Sequence, residues 1–212
     1  MKKIYIFVLA AAMLLAVDAK AQLGIGVGYN YLNTTERLAD ESDDESLDGF
    51  YVEATYDLNF LDADWGTLGL QPALRYTFGG EVESERILGV NAKASFTEHY
   101  LDIPVNVKYS YEFIQSKLKA YAFAGPVFSM GLASTASAAV EDNKEKINNY
   151  KDTGYGRFDL KLGLGAGVTL AEKFNVKLGY NIGMLNRCTD EHLKKDLKYH
   201  TGVFFVGVGY NF

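Results

Sequence analysis

The chain has 212 residues, a formal net charge of −6 and a single cysteine, Cys188. The acidic charge argues against nucleic acid as a partner, because carboxylates repel phosphates, and one cysteine excludes an internal disulfide framework. The 15 tyrosines, 13 phenylalanines and 21 glycines stand against only three prolines. This balance is typical of a membrane barrel with an apolar outside and a small, polar inside.

The first residues have the features of a secretory signal peptide. Lys2 and Lys3 precede an apolar stretch at 4–17, and Ala19 and Ala21 occupy the two positions that a signal peptidase reads. We therefore expect residues 1–21 to be removed and residues 22–212 to form one domain. The best later apolar run, 120–132, is shorter than the ~20 residues that a membrane-spanning helix needs.

Alternation of apolar and polar residues with a period of two is the main structural signal. At 23–31 the odd positions are all apolar, and the even positions are glycines and one asparagine. Such a pattern predicts a strand with two different faces. Similar segments recur at 50–60, 68–78, 100–109, 118–132, 158–170, 174–184 and 204–212. Most reach the ~9–11 residues that a tilted strand needs to cross a membrane.

The links between these segments alternate in length. Short links are predicted at 61–66, 110–117 and 171–173, and long polar links at 32–49, 79–98, 133–156 and 186–198. Short periplasmic turns and long outer loops are the rule in bacterial barrels. The predicted fold class is therefore all-β: an eight-stranded antiparallel up-and-down transmembrane β-barrel in the outer membrane, preceded by a cleaved signal peptide.

Two details of the strands need separate interpretation. In the fifth segment, Tyr121 and Phe123 lie on the face opposite Phe128 and Met130, and its facing stays open. The three prolines, Pro72, Pro104 and Pro126, fall in the middle of successive strands, where proline cannot donate to the ladder. We interpret them as β-bulge positions.

The fourth segment resembles a known family. Residues 100–109, YLDIPVNVKY, are similar to the L-x-I-P-x-x-x-K-Y strand of the PorT-like outer-membrane barrels common in Bacteroidetes. Ala124-Gly125-Pro126, the glycine-rich run at 163–167 and the final GYNF at 209–212 also fit. The resemblance implies an outer-membrane barrel. Some members of that family serve protein secretion or gliding.

Eight charged residues point inward by this facing: Glu53, Asp57, Arg75, Asp102, Lys108, Asp159, Lys161 and Lys177. They could form a charged pore or a proton path, or an ion-pair network that fills the lumen. We favour the network, because eight strands enclose a space just wide enough for side chains, and buried charges must be paired. We expect Arg75 to meet Glu53 or Asp57, since inward residues of a hairpin are near neighbours.

Other polar clusters carry weaker signals. The first long link holds Glu36, Asp40, Glu41, Asp43, Asp44, Glu45 and Asp48, without the ordered spacing of a calcium loop. His99, His192 and His200 belong to no catalytic motif, and Cys188 is an isolated loop cysteine. No catalytic, metal or cofactor site is predicted.

The expected function is that of a non-enzymatic barrel whose outer loops form a binding or assembly surface, with a role in protein secretion or in the envelope. One alternative is a rim-sited enzyme acting on lipid or peptide through His99 and His200. Another is a narrow channel for small solutes. The expected partners are outer-membrane lipid, the assembly machinery and other envelope proteins.

The end of the chain predicts an assembly signal. Alternation continues to the last residue, with Tyr210 and Phe212 on the apolar face. The eighth strand must pair with the first to remove the last open edge. Phe212 would then anchor the barrel at the inner interface.

Overall fold

A computed structural model describes residues 21–38, 41–87, 90–114, 117–140, 143–153, 155–189 and 197–212. The predicted signal peptide lies outside these residues except for Ala21. The described strands are β1 (Ala21–Leu38), β2 (Glu41–Ala63), β3 (Gly66–Ile87), β4 (Val90–Ile114), β5 (Leu118–Val140), β6 (Asn143–Asn148), β7 (Phe158–Leu170), β8 (Phe174–Gly183) and β9 (Leu197–Asn211). A single helical turn, α1 (Asn149–Asp152), follows β6. No helix in these ranges is long and apolar enough to cross a membrane.

Eight of the strands form a closed antiparallel ring, in the order β4-β3-β2-β1-β9-β8-β7-β5, and β5 pairs with β4 to close it. The sixth strand, β6, pairs only with the outer end of β5. The eight-stranded architecture predicted from the alternation is confirmed. The predicted pairing of the first and last strands is also present, from Gly24 opposite Asn211 to Leu38 opposite Leu197.

The two faces of the strands follow the sequence pattern. Leu23, Ile25 and Val27 are about half exposed on the outside of the ring. The glycines between them face inward and leave room for large rings from other strands. A Cβ at Gly28 would lie 2.4 Å from Cε1 of Tyr51, and one at Gly207 would lie 2.1 Å from the Tyr51 hydroxyl. The glycine-rich face therefore exists because the lumen contains aromatic side chains.

The open question about the fifth strand is settled by burial. Tyr121, Phe123 and Val127 are buried inside the barrel, whereas Phe128 and Met130 are exposed on the outside. Two aromatic rings of this strand thus face the lumen, and alanines and larger apolar residues face outward. The glycines of β7 make this facing feasible, because Gly165 and Gly167 lie against the rings of Phe123 and Tyr121.

The interpretation of the prolines as bulges is wrong. The register runs through Pro72, Pro104 and Pro126 without a shift. Register shifts occur instead at Asn59/Leu61, His99/Tyr100 and Glu112/Ile114. Two residue pairs are missing between Pro72 and Arg75 in the β3–β4 ladder, and two between Pro104 and Val107 in the β4–β5 ladder, but the register is the same on both sides of each gap.

The long polar links are also mostly strand rather than loop. The hairpins β1–β2 and β3–β4 continue as ladders to Leu38/Glu41 and Ile87/Val90, and β5 and β6 do so to Val140/Asn143. Seven strand ends, those of β1 to β6 and the start of β9 opposite Leu38, therefore extend the barrel wall above the membrane belt. By contrast, β7 begins at Phe158 and β8 ends at Gly183, so the wall is low at these two strands.

Candidate functional site

The centre of the lumen is an ion-pair cluster around Glu53. Arg75 donates from Nε and Nη2 to Oε2 of Glu53 at 3.0 and 2.8 Å, and Lys177 contacts the other oxygen. The guanidinium of Arg75 also lies between two rings, 4.5 Å from the centre of Tyr51 and 4.3 Å from that of Phe205. Glu53 is one of the two partners, Glu53 or Asp57, that were expected for Arg75.

A second pair lies nearer the periplasmic end. Lys108 Nζ is 2.9 Å from Oδ2 of Asp57, and Gln71 donates to the other oxygen at 2.8 Å. The Lys108 ammonium also lies 4.5 Å from the centre of the Tyr121 ring. Both groups are buried, so this pair satisfies its charges within the wall of the barrel.

A third group lies nearer the outer end. Asp102 accepts hydrogen bonds from Thr77 and Ser129, and Lys161 Nζ is 4.0 Å away. Asp159 is buried, and neither of its oxygens has a hydrogen-bond partner among the described residues. All eight charged residues predicted to face inward thus lie in the lumen; seven are buried and Lys177 is partly buried.

Two apolar layers accompany these charges. Tyr51, Tyr121, Phe123 and Phe205 form the layer around Arg75. Leu32, Leu47, Tyr100 and Val203, with Phe96 against them, form a layer at the outer end. A small cavity of about 20 Å³ lies beside Glu53 and Lys177. A larger cavity of about 340 Å³ lies at the periplasmic end of the barrel, where Asp57, Lys108 and Asn211 are among its lining residues.

Arg187 closes the outer end of the lumen. Its side chain is 1% exposed and donates to the Gly156 carbonyl oxygen at 2.7 Å from Nη2 and 3.1 Å from Nε. Its Nη1 donates to the hydroxyls of Tyr155 and Tyr100 at 2.7 and 2.8 Å. The sequence contains no indication of this role, because an arginine in a polar outer segment is expected to be exposed to water.

Above this layer lies a cavity of about 240 Å³ that the extended strands enclose. Its lining residues are Thr34, Glu36, Asp43, Glu45, Leu47, Phe96, Thr97, Glu98, Ser134, Thr135, Asn149, Thr153, Tyr155 and Tyr199. Four of them are carboxylates, and none of them is basic. We call this space the outer acidic cavity.

The strand register explains how the carboxylates meet there. Glu36 lies opposite Asp43, and Thr34 lies opposite Glu45, in the β1–β2 ladder, so these side chains share the inner face. Glu98 comes from β4, where its carboxylate accepts hydrogen bonds from Tyr100 and from Ser134. Asp44, between Asp43 and Glu45, points to the other face and accepts from Thr35 at 2.6 Å.

The ionisation of the cavity reflects this crowding. Partial burial and then the neighbouring carboxylates Glu36, Asp43 and Glu98 raise the pKa of Glu45. Burial, with Glu36 close by, raises the pKa of Tyr199 to about 12, so its hydroxyl stays protonated and donates to Glu36 at 3.3 Å. The cavity therefore carries excess negative charge at neutral pH.

Arg187 lies just beneath this cavity and is held as a cation. Burial lowers the pKa of Arg187, but the nearby Tyr100, Tyr155 and Glu98 raise it by more, so its pKa lies above the ordinary value. Its guanidinium carbon lies 4.0 Å from the centre of the Tyr155 ring. Arg187 is already engaged by these groups, and among the described residues no ion pair joins a cation to Glu36, Asp43 or Glu45.

The remaining predicted residues are dispersed. His99 is on the outer face of β4, 2.6 Å from the Tyr76 hydroxyl, and His200 is exposed on β9. Three strands separate β4 from β9 in the ring, so these histidines share no site. His192 and Asp40 lie outside the described residues, as does the side chain of Glu41. Asp48 is at the outer surface, where it accepts from Tyr29.

Cys188 and the end of the chain occupy opposite ends of the barrel. Cys188 is buried in the last outer segment, bridged to Tyr155 through the backbone. Tyr210 and Phe212 lie at the periplasmic end, where their rings contact edge to face at 5.3 Å. The Phe212 backbone donates to the Leu23 carbonyl oxygen at 2.9 Å.

Comparisons with known proteins agree with this architecture. The sequence model of a family described as outer membrane protein beta-barrel domain matches residues 6–212. No curated protein sequence matches the chain.

Solved outer-membrane structures are similar in outline. Ail, the attachment invasion locus protein of Yersinia pestis, is 15% identical with a TM-score of 0.46, over 91% of this chain and 99% of that one. The protease OmpT of Escherichia coli is 8% identical with a TM-score of 0.43, over 94% and 100%. OprG of Pseudomonas aeruginosa is 13% identical with a TM-score of 0.40, over 92% and 97%. At these values, none of the three bears on what this chain does.

Proposed function

Since the chain belongs to the outer membrane protein beta-barrel domain family and is a protein of the Gram-negative outer membrane, we propose that it binds an organic cation at its outer face without enzymatic activity. The binding site is the outer acidic cavity. The ligand class is a compound that carries several spaced ammonium or guanidinium groups, such as a polyamine or a lysine- or arginine-rich peptide segment.

The composition of the cavity carries this proposal. Its described lining includes four carboxylates and no basic side chain, and partial burial together with the neighbouring carboxylates raises the pKa of Glu45. A cation that enters relieves this repulsion and gains attraction in a partly enclosed space, where charges interact more strongly than in water. The ring of Tyr199, 5.4 Å from that of Tyr155 and nearly perpendicular to it, adds an aromatic surface on which a cation can rest. The Tyr155 ring is already covered by Arg187 and Tyr150.

The spacing of the carboxylates favours an organic cation over a metal ion. They come from β1, β2 and β4 and are distributed around the cavity. Within the described part of the chain, no three acidic, histidine or cysteine side chains converge closely enough to hold a metal. A metal ion needs several oxygen ligands within about 2.0–2.6 Å, whereas a polyamine meets dispersed carboxylates one at a time.

The lumen supports binding rather than transport. Two apolar layers and three groups of charged residues occupy the barrel interior between the cavity and the periplasmic end. Eight strands leave little more than the volume of these side chains. The separation of His99 from His200 in the ring argues against a rim-sited enzyme that uses these two histidines together.

A narrower proposal concerns family and partners. The motif at 100–109 supports membership of the PorT-like group, and with it a role in protein secretion or in envelope assembly through other envelope proteins. Affinity capture from native outer membrane with tagged protein tests this role. The secretion role would be supported if secretion components are recovered with the wild type and are no longer recovered when the outer acidic cavity is altered. Recovery of lipid alone would oppose it.

The test of cation binding uses purified full-length barrel in detergent and a four-lysine peptide as the probe. Isothermal titration should show binding that weakens as salt rises, because screening reduces the attraction. Glu45→Gln should weaken binding about fivefold, since a partly exposed charge pair contributes up to about 1 kcal/mol. The double variant E36Q/E45Q should weaken it by more than tenfold.

Asp44→Asn is the matched control, because it removes the same charge from the adjacent residue on the opposite face of β2. Binding that responds equally to Asp44→Asn and Glu45→Gln would reduce the effect to net charge and refute the cavity as the site. Stable conductance of the purified protein in a planar bilayer would favour the channel alternative.

A further inference from the structure

The cavity at the periplasmic end of the barrel is polar and large enough for a small ligand. Its volume of about 340 Å³ lies at the small end of the range for ligand pockets, about 300–1,000 Å³. Ten of its lining residues are polar or charged, and one is aromatic: Gln22, Asp57, Asn59, Thr67, Lys108, Ser110, Lys119, Thr169, Glu172, Asn211 and Phe212. We call this space the periplasmic cavity.

The charges of the periplasmic cavity are balanced, unlike those of the outer acidic cavity. Its lining includes two carboxylates, Asp57 and Glu172, and two ammonium groups, Lys108 and Lys119. Asp57 and Lys108 are buried and pair with each other at 2.9 Å. Glu172 is exposed and Lys119 is partly buried, and neither takes part in an ion pair between described residues. A ligand that carries both charges can therefore pair with both groups at once.

The floor of the cavity offers hydrogen-bond donors. The ammonium of Lys108 has three N–H groups; it donates to Asp57 and lies 4.5 Å from the centre of the Tyr121 ring, which leaves donor capacity for a ligand. Asn211 is also buried, and its Nδ2 has only a long contact of 3.5 Å, to Oε1 of Gln22. These donors favour the carboxylate end of a ligand at the floor.

A strained turn between β7 and β8 holds Glu172 at the rim of the cavity. Ala171 and Glu172 have left-handed φ angles of 49° and 61°, and a hydrogen bond from Lys173 N to the Leu170 carbonyl oxygen closes the turn at 3.1 Å. Asparagine and glycine are the residues preferred at such angles, because other side chains are strained there. Strained residues cluster at functional sites, and this turn places a carboxylate in the cavity lining.

We propose that the periplasmic cavity binds a small zwitterion of the size of a dipeptide, with its carboxylate at the floor and its ammonium at the rim. The carboxylate contacts Lys108, Asn211 and Lys119, and the ammonium contacts Glu172. The ion pairs and the aromatic layer of the lumen separate this site from the outer acidic cavity. Binding here is therefore independent of cation binding at the outer face.

The dipeptide L-alanyl-L-alanine is the probe, and its two blocked forms test its two ends separately. Binding is measured by saturation-transfer NMR titration with the purified full-length barrel in an uncharged detergent. Acetylation of the amino end removes the ammonium group, and amidation of the carboxyl end removes the carboxylate. Each blocked form should bind about threefold more weakly, as expected for the loss of one partly exposed charge pair.

Variants at the rim assign these effects to named groups. Glu172→Gln and Lys119→Gln should each weaken binding of the unblocked dipeptide about threefold. Glu172→Gln should not further weaken binding of the acetylated form, which has no ammonium group to lose. Asp64→Asn and Lys117→Gln are the matched controls, because they remove the same charges from exposed periplasmic turns outside the cavity lining. Heat-modifiable migration on a denaturing gel verifies that every variant is folded.

Three results would overturn the assignment of a zwitterion site. The first is equal binding of the free and blocked dipeptides, or no transfer signal from the free dipeptide at millimolar concentration. The second is an equal loss of binding in the rim variants and in their controls. The third is tighter binding of phosphoethanolamine than of the dipeptide, because the cavity would then recognise a lipid headgroup.

Discussion

Two acidic regions of this barrel show opposite solutions to the same electrostatic problem. In the lumen, Glu53 is fully enclosed and meets two cations, Arg75 from the adjacent strand and Lys177 from β8. In the outer acidic cavity, Glu36, Asp43 and Glu45 share one inner face with no basic residue in the described lining. Whether a carboxylate has a basic partner depends on which residues the neighbouring and opposite strands place at the same height in the barrel.

The energetic consequences of these arrangements also differ. A charge buried without a partner costs several kcal/mol, and Glu53, Asp57 and Asp102 each lie beside a cation. Asp159 is the exception among the described lumen carboxylates, because neither of its oxygens has a hydrogen-bond partner there. A carboxylate at a cavity open to water keeps part of its hydration, so it can stay unpaired and remain available to a ligand. Pairing therefore stabilises the barrel body, and under the proposed function its absence leaves the outer wall able to bind a cation.

The largest expected effect is on membrane insertion, which should depend on closure of the barrel body and not on the outer wall. Deleting Phe212 removes the residue that bonds to Leu23 where β9 meets β1. We expect the amount of protein in the outer-membrane fraction to fall more than fivefold, because the last open edge is then poorly closed. Deleting residues 43–44 should leave insertion nearly unchanged. Immunoblots of fractionated cells measure both, and equal insertion would remove the assembly role of Phe212.

The next effect contrasts the two carboxylate sites directly. Glu53→Ala leaves Arg75 and Lys177 buried without their anion and should lower the free energy of unfolding by about 3–5 kcal/mol. Glu45→Ala should change it by less than about 0.5 kcal/mol, as is usual for exposed positions. Urea titration in lipid vesicles, followed by the fluorescence of Trp65, measures both values. Similar losses in the two variants would mean that the outer carboxylates are also structural.

A smaller effect concerns the boundary between the two regions. Arg187→Ala removes the donors that hold Gly156 and Tyr155 over the lumen, and hydrogen bonds from a charged donor contribute about 1.5–3 kcal/mol each. We expect trypsin to cleave after Arg157 about tenfold faster in folded protein. Arg187→Lys, which keeps the charge but loses the forked geometry, should lie between the variant and the wild type. Unchanged cleavage would show that other contacts hold these segments.

The smallest effect is on pH dependence. The raised pKa of Glu45 means that the folded protein binds a proton there more readily than a free glutamate does. Cation affinity should therefore be complete at neutral pH and fall as the pH drops through this raised pKa, above the ordinary value of about 4.3. Titrations with the four-lysine peptide between pH 7.5 and 5 should show a loss of a few fold in the wild type. Glu45→Gln should show a flatter profile, and a parallel profile would assign the proton to another group.

The raised pKa of Glu45 also makes the stability of the folded state depend on pH. Since the folded pKa of Glu45 lies above the unfolded value, the folded state holds the proton more tightly. Stability from this group is greatest below the unfolded pKa and decreases as the pH rises through the folded pKa. A bound cation offsets this loss, so the same site links ligand, proton and the ordering of the outer wall.

The membrane-spanning part of the barrel was predictable from the sequence, because the two faces of each strand there have different surroundings. One face of each strand meets lipid and the other meets a packed polar lumen, so residues 158–170 alternate clearly and coincide with β7. The same contrast placed Glu53 and Arg75 on the inner face of a hairpin and so predicted their pairing. A period of two becomes visible only where the two faces of a strand have different surroundings.

Above the membrane this contrast disappears, and tertiary structure decides the outcome. Both faces of the outer wall contact water, so residues 32–38 and 79–87 carry no strong alternation, although they form regular ladders. The register shift at His99/Tyr100, where β5 carries the extra residue Leu132, has no local sequence signal either. Arg187 is bound by acceptors from three other segments, at 100, 155–156 and 201. The sequence by itself determined the strands that separate lipid from lumen. Which charges have partners was decided only by the closed ring, because ring closure brings distant segments to the same height in the barrel.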